Sequence, residues 1–315
     1  MKNTAYAFSV AAIRVRETSL LSRSDFESLI ASPDEKSALR ILEDRGYNGI
    51  TEDTEGVLSE KLREVTDYIM DISPDKSLLS FLFIKNDFHN LKAAMKCAVS
   101  GTDPKKYFLP SAIISEDDVI EAVNEKNFSD LPEMFRHAAR EAWDGLVAGM
   151  NGQLCEMILD RAAIDAEVTV TEKSGDEFCA GLAKLKRKLL SFMIAYRCAA
   201  AGKSRDFVMS SLPDVTEVSK NDLVQAALAG CDEVTALAVK CGISLPDVPD
   251  ASDIRSALER IEDEYTSGSI YVSMGISPII SYYLKTTREV SKIRMILSCK
   301  RGGFSDEIIR KRTGL

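Results

Sequence analysis

Seven cysteines and two histidines are the residues of this chain best suited to covalent or metal chemistry. Three of the cysteines recur in register. Cys97 lies in "MKCAVSG" (95–101), Cys198 in "YRCAAAG" (196–202) and Cys299 in "LSCKRGG" (297–303), each 101 residues after the last. A structural zinc site needs about four converging nitrogen or sulfur ligands. Here each Cys stands four residues before a glycine, among apolar neighbours, and no pair forms C-x-x-C. The pattern reads as packing, without a metal. His89, in "NDFHNLK" (86–92), and Cys97 offer a thiol–imidazole pair, the one route to a cysteine-dependent enzyme. Eight residues of helix hold the two about 12 Å apart along the axis, so reaction between them is not expected. "AAAGKS" (199–204) carries Gly-Lys-Ser. The first glycine of a phosphate-binding loop is replaced there by Arg197, and a helix rather than a strand leads in. The sequence therefore predicts no catalytic residue and no cofactor.

The elements that carry these residues are helices. Runs such as "DEKSALRILEDRGY" (34–47), "SEDDVIEAVNE" (115–125) and "LCEMILDRAAIDAE" (154–167) space apolar residues three and four apart. Starts are marked at Ser24-Asp25, at Ser115 with Asp118, and at Ser305. Stops are marked by Gly46, Gly101, Gly202 and Gly303. "AEVTVTE" (166–172) is the best candidate for a strand, and the fold class is all-α. Reading backwards from the three cysteines extends the recurrence. Phe81/Leu182/Tyr283, Phe88/Leu189/Val290, Leu91/Phe192/Ile293 and Met95/Tyr196/Leu297 stand at offsets 0, 7, 10 and 14, one stripe on a helix. A Ser-x-x-Asp start recurs at Asp25, Asp118 and Asp222. The chain thus divides into three diverged helical units, 1–114, 115–218 and 219–315. Cys97, Gly101, Cys198, Gly202, Cys299 and Gly303 are their repeat-defining structural positions. Units of about 100 residues suit a pseudo-threefold funnel; solenoids use repeats of roughly 20–50 residues.

Composition narrows the partners. The 315 residues carry a net charge of −9, which argues against nucleic acid. No apolar run reaches the roughly 18 residues that span a bilayer. "MKNTAYAFSVAAIRVR" (1–16) starts like an export signal, but Arg14 and Arg16 follow with no small-residue cleavage pattern. An odd number of cysteines without such a signal favours reduced thiols in the cytoplasm. Between Lys285 and Arg312 stand nine Lys/Arg and three Asp/Glu, a local +6 that leaves about −15 on the remainder. Lys92 and Arg294 match across repeats, as do Lys96 and Arg197. Either these are solvated helix faces, or Lys96, Arg197 and Arg294 line an interface for an acidic partner.

Three segments in order resemble the C subunit of the prokaryotic V/A-type rotary ATPases, the counterpart of the d subunit of the eukaryotic V-ATPase. The first is Tyr6, Phe8, Arg14, Arg16, Leu20 and Leu21. The second is "DFHNLK" (87–92). The third is Pro278, Tyr282, Tyr283, Glu289, Ile293, Arg294, Ile296 and Lys300. The resemblance spans essentially the whole chain, although the middle copy, "LKRKLLSFMIAYRCAAAGK" (185–203), lacks the Asp and Asn found at 87 and 90. It implies a non-catalytic adaptor of the central rotor. Such a part links central-stalk subunits to the membrane proteolipid ring and transmits torque for ATP-coupled ion transport. It works as one copy per complex, on the cytoplasmic side and peripheral to the membrane, with three similar units around a funnel. The alternative is a free-standing helical scaffold, which needs the repeats but not "YYLKTTREVSKIRMIL" (282–297).

Overall fold

A computed structural model describes residues 3–149, 152–213, 218–243 and 251–315. They are helical, joined by turns and short 3-10 segments, with no strand among the described residues. The helices are α1 (Ala7–Glu17), α2 (Arg23–Ala31), α3 (Glu35–Asp44), α4 (Thr54–Ile72), α5 (Lys76–Leu79), α6 (Ile84–Ser100), α7 (Glu116–Asn124) and α8 (Glu133–Gly149). They continue as α9 (Gly152–Ser174), α10 (Glu177–Ala200), α11 (Arg205–Ser211), α12 (Lys220–Ala229), α13 (Cys231–Lys240), α14 (Ala251–Ser267), α15 (Ser277–Arg301) and α16 (Asp306–Thr313). Residues 166–172 lie inside α9, not in a strand. Their β-branched residues satisfy the helix instead. Ala163, Ala166, Glu167 and Thr171 are buried at helical spacing, and the Thr171 hydroxyl donates to the Glu167 carbonyl.

By contact the chain falls into two compact units, residues 1–76 with 246–315, and residues 77–245. The three-unit division follows the recurrence of a helix and its cap, and cuts elsewhere. In the first compact unit α15 is the central helix. Val290, Ile293, Ile296, Leu297 and Cys299 pack on Phe26, Leu29, Ile30, Ala38, Leu42 and Leu58 from α2, α3 and α4. Each of the Val, Leu, Ile and Phe side chains here contributes about 1.5–3 kcal/mol by leaving water. In the second unit α6 packs on α7, α8 and α9, with the Phe88 and Phe135 ring centroids 4.7 Å apart. There α10 packs on α9, α11, α12 and α13.

The recurrent stripe is buried throughout. Every residue at the four offsets in α10, α15 and the α6 region is buried, as are Cys97, Cys198 and Cys299. The closing glycines act alike. Gly101, Gly202 and Gly303 have φ of +71°, +58° and +68°, a left-handed conformation open to glycine at no steric cost. That turn brings the next N–H back onto the cysteine carbonyl. Thr102 donates to Cys97, Lys203 to Cys198 and Phe304 to Cys299, at 3.1, 3.0 and 3.1 Å. The phrase recurs because its cysteine carbonyl, its buried thiol and its glycine are three parts of one helix ending.

The starts differ in two places from expectation. Ser219 precedes α12, yet its side chain makes no capping hydrogen bond there. The first Ser-x-x-Asp helix begins at Arg23 with Ser22 as its cap, two residues before Ser24. The Ser22 N–H donates to Asp25 Oδ2 at 2.8 Å while the Asp25 N–H donates to the Ser22 hydroxyl at 3.3 Å, a capping box. Ser115 and Ser305 cap as the sequence predicts.

Candidate functional site

The Gly-Lys-Ser of 202–204 is used up in a helix junction. Gly202 ends α10, Ser204 caps α11 through the Phe207 N–H, and the Lys203 ammonium sits 4.8 Å above the Phe207 ring. His89 is likewise engaged. Its Nε2 lies 3.0 Å from the Tyr107 carbonyl and must carry the proton to donate there. The Cys97 thiol is buried in the last turn of α6. Among the described residues no group of three or more His, Cys, Asp or Glu is placed to hold a metal ion.

His89 is one of four side chains on α6 that grip the loop leading to α7. The Asn86 amide donates to the Pro110 carbonyl at 2.9 Å. Asn90 makes a two-way clasp, donating to the Leu109 carbonyl at 3.0 Å and accepting its N–H at 2.7 Å. Asp87, with no solvent exposure, accepts the Ile113 and Ile114 N–H groups on Oδ1 at 2.8 and 2.7 Å. Its Oδ2 has no hydrogen-bond partner among the described residues. Burial raises the Asp87 pKa to about 6 against the pull of the two amides. His89, the one histidine considered for catalysis, and its neighbours Asn86, Asp87 and Asn90 are backbone ligands.

Position 87 has counterparts at the 101-residue spacing, Lys188 and Glu289. Glu289 is buried on α15. It accepts the Leu21 N–H at 2.5 Å and the Tyr47 hydroxyl at 2.6 Å. Burial raises its pKa, and the two donors oppose that. Leu21 immediately precedes the cap Ser22, as Ile114 precedes the cap Ser115. The two carboxylates therefore seize equivalent points before equivalent helices. In the middle copy the charge is reversed. The Lys188 ammonium donates to the Cys241 carbonyl, at the end of α13, at 2.7 Å. The missing Asp of the middle copy is thus replaced by a cation on a helix C-terminus, where a positive charge is favoured. Applying the 101-residue offset to Asp87 finds both residues in the sequence.

The long helices are also cross-braced. Lys92 pairs with Asp160 at 2.7 Å and Lys96 with Glu156, tying α6 to α9. Arg294 pairs with Glu55 of α4 at 3.0 Å. Arg197 is exposed, and its guanidinium has no carboxylate partner among the described residues. The three cations read as one interface therefore occupy three different helices in two states, two paired and one free. Most of the basic segment is similarly engaged. Lys285 meets Glu17 at 2.8 Å, Arg301 meets Glu35 at 2.5 Å and Arg310 meets Glu27 at 3.0 Å. The local excess of charge is largely matched by acids from the other end of the chain, invisible to a local count.

The N-terminal and C-terminal segments are fastened at further points. The Arg14 guanidinium donates to the Ser269 and Ile270 carbonyls at 2.7 and 3.1 Å. Arg16 stacks 3.7 Å over the Tyr68 ring. The Lys300 ammonium donates to the Ile30 and Ser32 carbonyls. Arg14, Arg16, Leu21, Glu289 and Lys300, which carry the family resemblance, are thus mutual ties within one unit. A family model described as the ATP synthase (C/AC39) subunit matches residues 9–312. The chain belongs to that family. Among relatives, the C subunit of the V-type sodium ATPase of Enterococcus hirae is 21% identical over 318 aligned residues, which cover 95% of each chain. In this C/AC39 protein the family's segments hold the fold together.

Proposed function

We propose that this C/AC39 protein is the non-catalytic adaptor of a rotary ATPase rotor. It joins the central-stalk subunits to the membrane proteolipid ring and passes torque between them, as one copy per complex. The observation that carries this reading is the threefold recurrence of one fixed long helix. Each copy ends in the same Cys-carbonyl and glycine turn, and each is pinned at the same position, by Asp87, Lys188 or Glu289. A coupler must be stiff, because a compliant part stores rotation instead of passing it on. Close-packed interiors transmit strain, and the buried ties add fixed points. Three such units, 1–114, 115–218 and 219–315, suit a pseudo-threefold funnel that receives a shaft.

No helix among the described residues is long and apolar enough to cross a membrane. On this reading the protein is held at the membrane, on its cytoplasmic side, through the ring. The name of the Enterococcus relative places that protein in a V-type sodium ATPase, which supports a role in an ion-transporting complex. The decisive experiment is purification of the tagged protein from native membranes, with its partners identified by mass. Stalk and proteolipid subunits in constant ratio are expected. Recovery of the chain alone, or with unrelated proteins, favours the free-standing scaffold.

A further inference from the structure

Two cations of the basic segment that meet no carboxylate among the described residues share a cavity. Of the nine cations in 285–312, six meet carboxylates: Lys285, Arg288, Arg294, Lys300, Arg301 and Arg310. Lys292 and Arg312 meet none among the described residues. Lys292 sits 5.8 Å over the Phe26 ring, and Arg312 sits 4.4 Å over the Phe304 ring. Both line a small cavity of about 50 Å³ between α14, α15 and α16, together with Glu259, Arg288, Ser291 and Thr313. Lys292 is partly buried, and burial lowers its pKa, as do Arg288 and Arg23 nearby; Glu259 opposes them.

A partly buried ammonium beside Arg288 and Arg312, opposed by Glu259, is favoured further by an anion that joins it. The surroundings are those of an oxyanion site. Arg288 is immobilised by Glu262 at 2.6 Å and by Asp263, so its guanidinium is presented rigidly. Arg312 brings a second planar fork, and the Ser291 hydroxyl a neutral donor. Charge-assisted bonds from such groups are the strong ones for tetrahedral oxyanions. A water needs about 10–15 Å³ of such space, so this cavity has room for a small tetrahedral ion and none for a nucleotide.

We propose that this cavity binds inorganic phosphate, with Lys292 as its principal cation and Arg312 and Arg288 flanking it. Glu259 is the one carboxylate in the lining among the described residues, so it weakens the site. The test is calorimetric titration of the full chain with potassium phosphate against potassium chloride at matched ionic strength. One-site saturation by phosphate is expected. Lys292→Met should weaken it about tenfold or more, and Glu259→Gln should tighten it. Absence of saturable binding overturns the proposal, as does wild-type affinity in Lys292→Met. Should Lys292→Met fail to fold, Arg312→Gln, at an exposed position, carries the test: unchanged affinity there overturns the assignment.

Discussion

Replacing Asp87 by Asn isolates one buried charge. The carboxylate has no solvent exposure, and its pKa rises to about 6 from 3.8 because burial outweighs two backbone hydrogen bonds. A carboxylate whose folded pKa is raised binds its proton more tightly when folded. Its ionised form therefore costs stability above pH 6, and that cost is relieved as pH falls through 6 towards 3.8. The full linkage is about 3 kcal/mol, from 1.36 kcal/mol per unit. Between pH 7.5 and pH 5.0 the wild type should recover about 1.4 kcal/mol of it. Asn keeps an acceptor for Ile113 and Ile114 but does not titrate. Urea unfolding of both proteins at the two pH values gives a double difference in which the other titrating groups cancel. The asparagine variant should lack the gain of about 1.4 kcal/mol on acidification. If wild type and variant change in parallel, Asp87 is not a costly buried charge and the argument from its unpartnered Oδ2 fails.

Glu289→Ala strands the Tyr47 hydroxyl and the Leu21 N–H, at about 1–3 kcal/mol each. Hydrogen exchange at Leu21 should accelerate at least tenfold, and unchanged exchange would show that the tie is idle. Gly303→Ala meets no neighbouring atom but must hold φ near +68°, so a loss of roughly 1–2 kcal/mol is expected in chemical unfolding; an unaltered midpoint would contradict the left-handed stop. Arg197→Glu should leave melting unchanged, since it breaks no ion pair among the described residues, and should weaken capture of stalk or ring subunits more at low salt than at high. Capture equal to wild type at both salts places the interface elsewhere.

Local chemistry was the legible part of the sequence. The stripe, the glycine stops and the Ser-x-x-Asp starts each act over a few residues, and the structure reproduces them apart from the shift from Ser24 to Ser22 and the Ser219 side chain, which makes no capping bond. The strand expected at 166–172 failed because β-branched alternation is a weak signal against helical burial on both sides of it. The charge pattern misled for a different reason. Lys285, Arg301 and Arg310 look like free surface until Glu17, Glu35 and Glu27 are brought to them from 268, 266 and 283 residues away. Nothing in a local window encodes such pairing. Asp87 was visible in its motif, but its task as a ligand for the 113–114 backbone depends on a loop path set only by folding. Its counterpart in the middle copy, Lys188, fastens a different point, the end of α13, with the opposite sign.

The dependence of α2, α3 and α4 on α15 also sets a timetable for synthesis. These helices leave the ribosome well before α15, with Phe26, Leu29, Ile30 and Leu42 uncovered, because the helix that buries them comes more than 200 residues later. At about 5–20 residues per second the wait is roughly 10–50 s. Residues 77–245 are contiguous and have all of their own helices well before that. The middle of the chain is therefore ready to fold while the beginning is still waiting for the end. The interval is one in which exposed apolar helices invite aggregation or a chaperone. A stop codon before α15 would not merely shorten the protein. It would leave its first helices permanently without the surface they were made to cover.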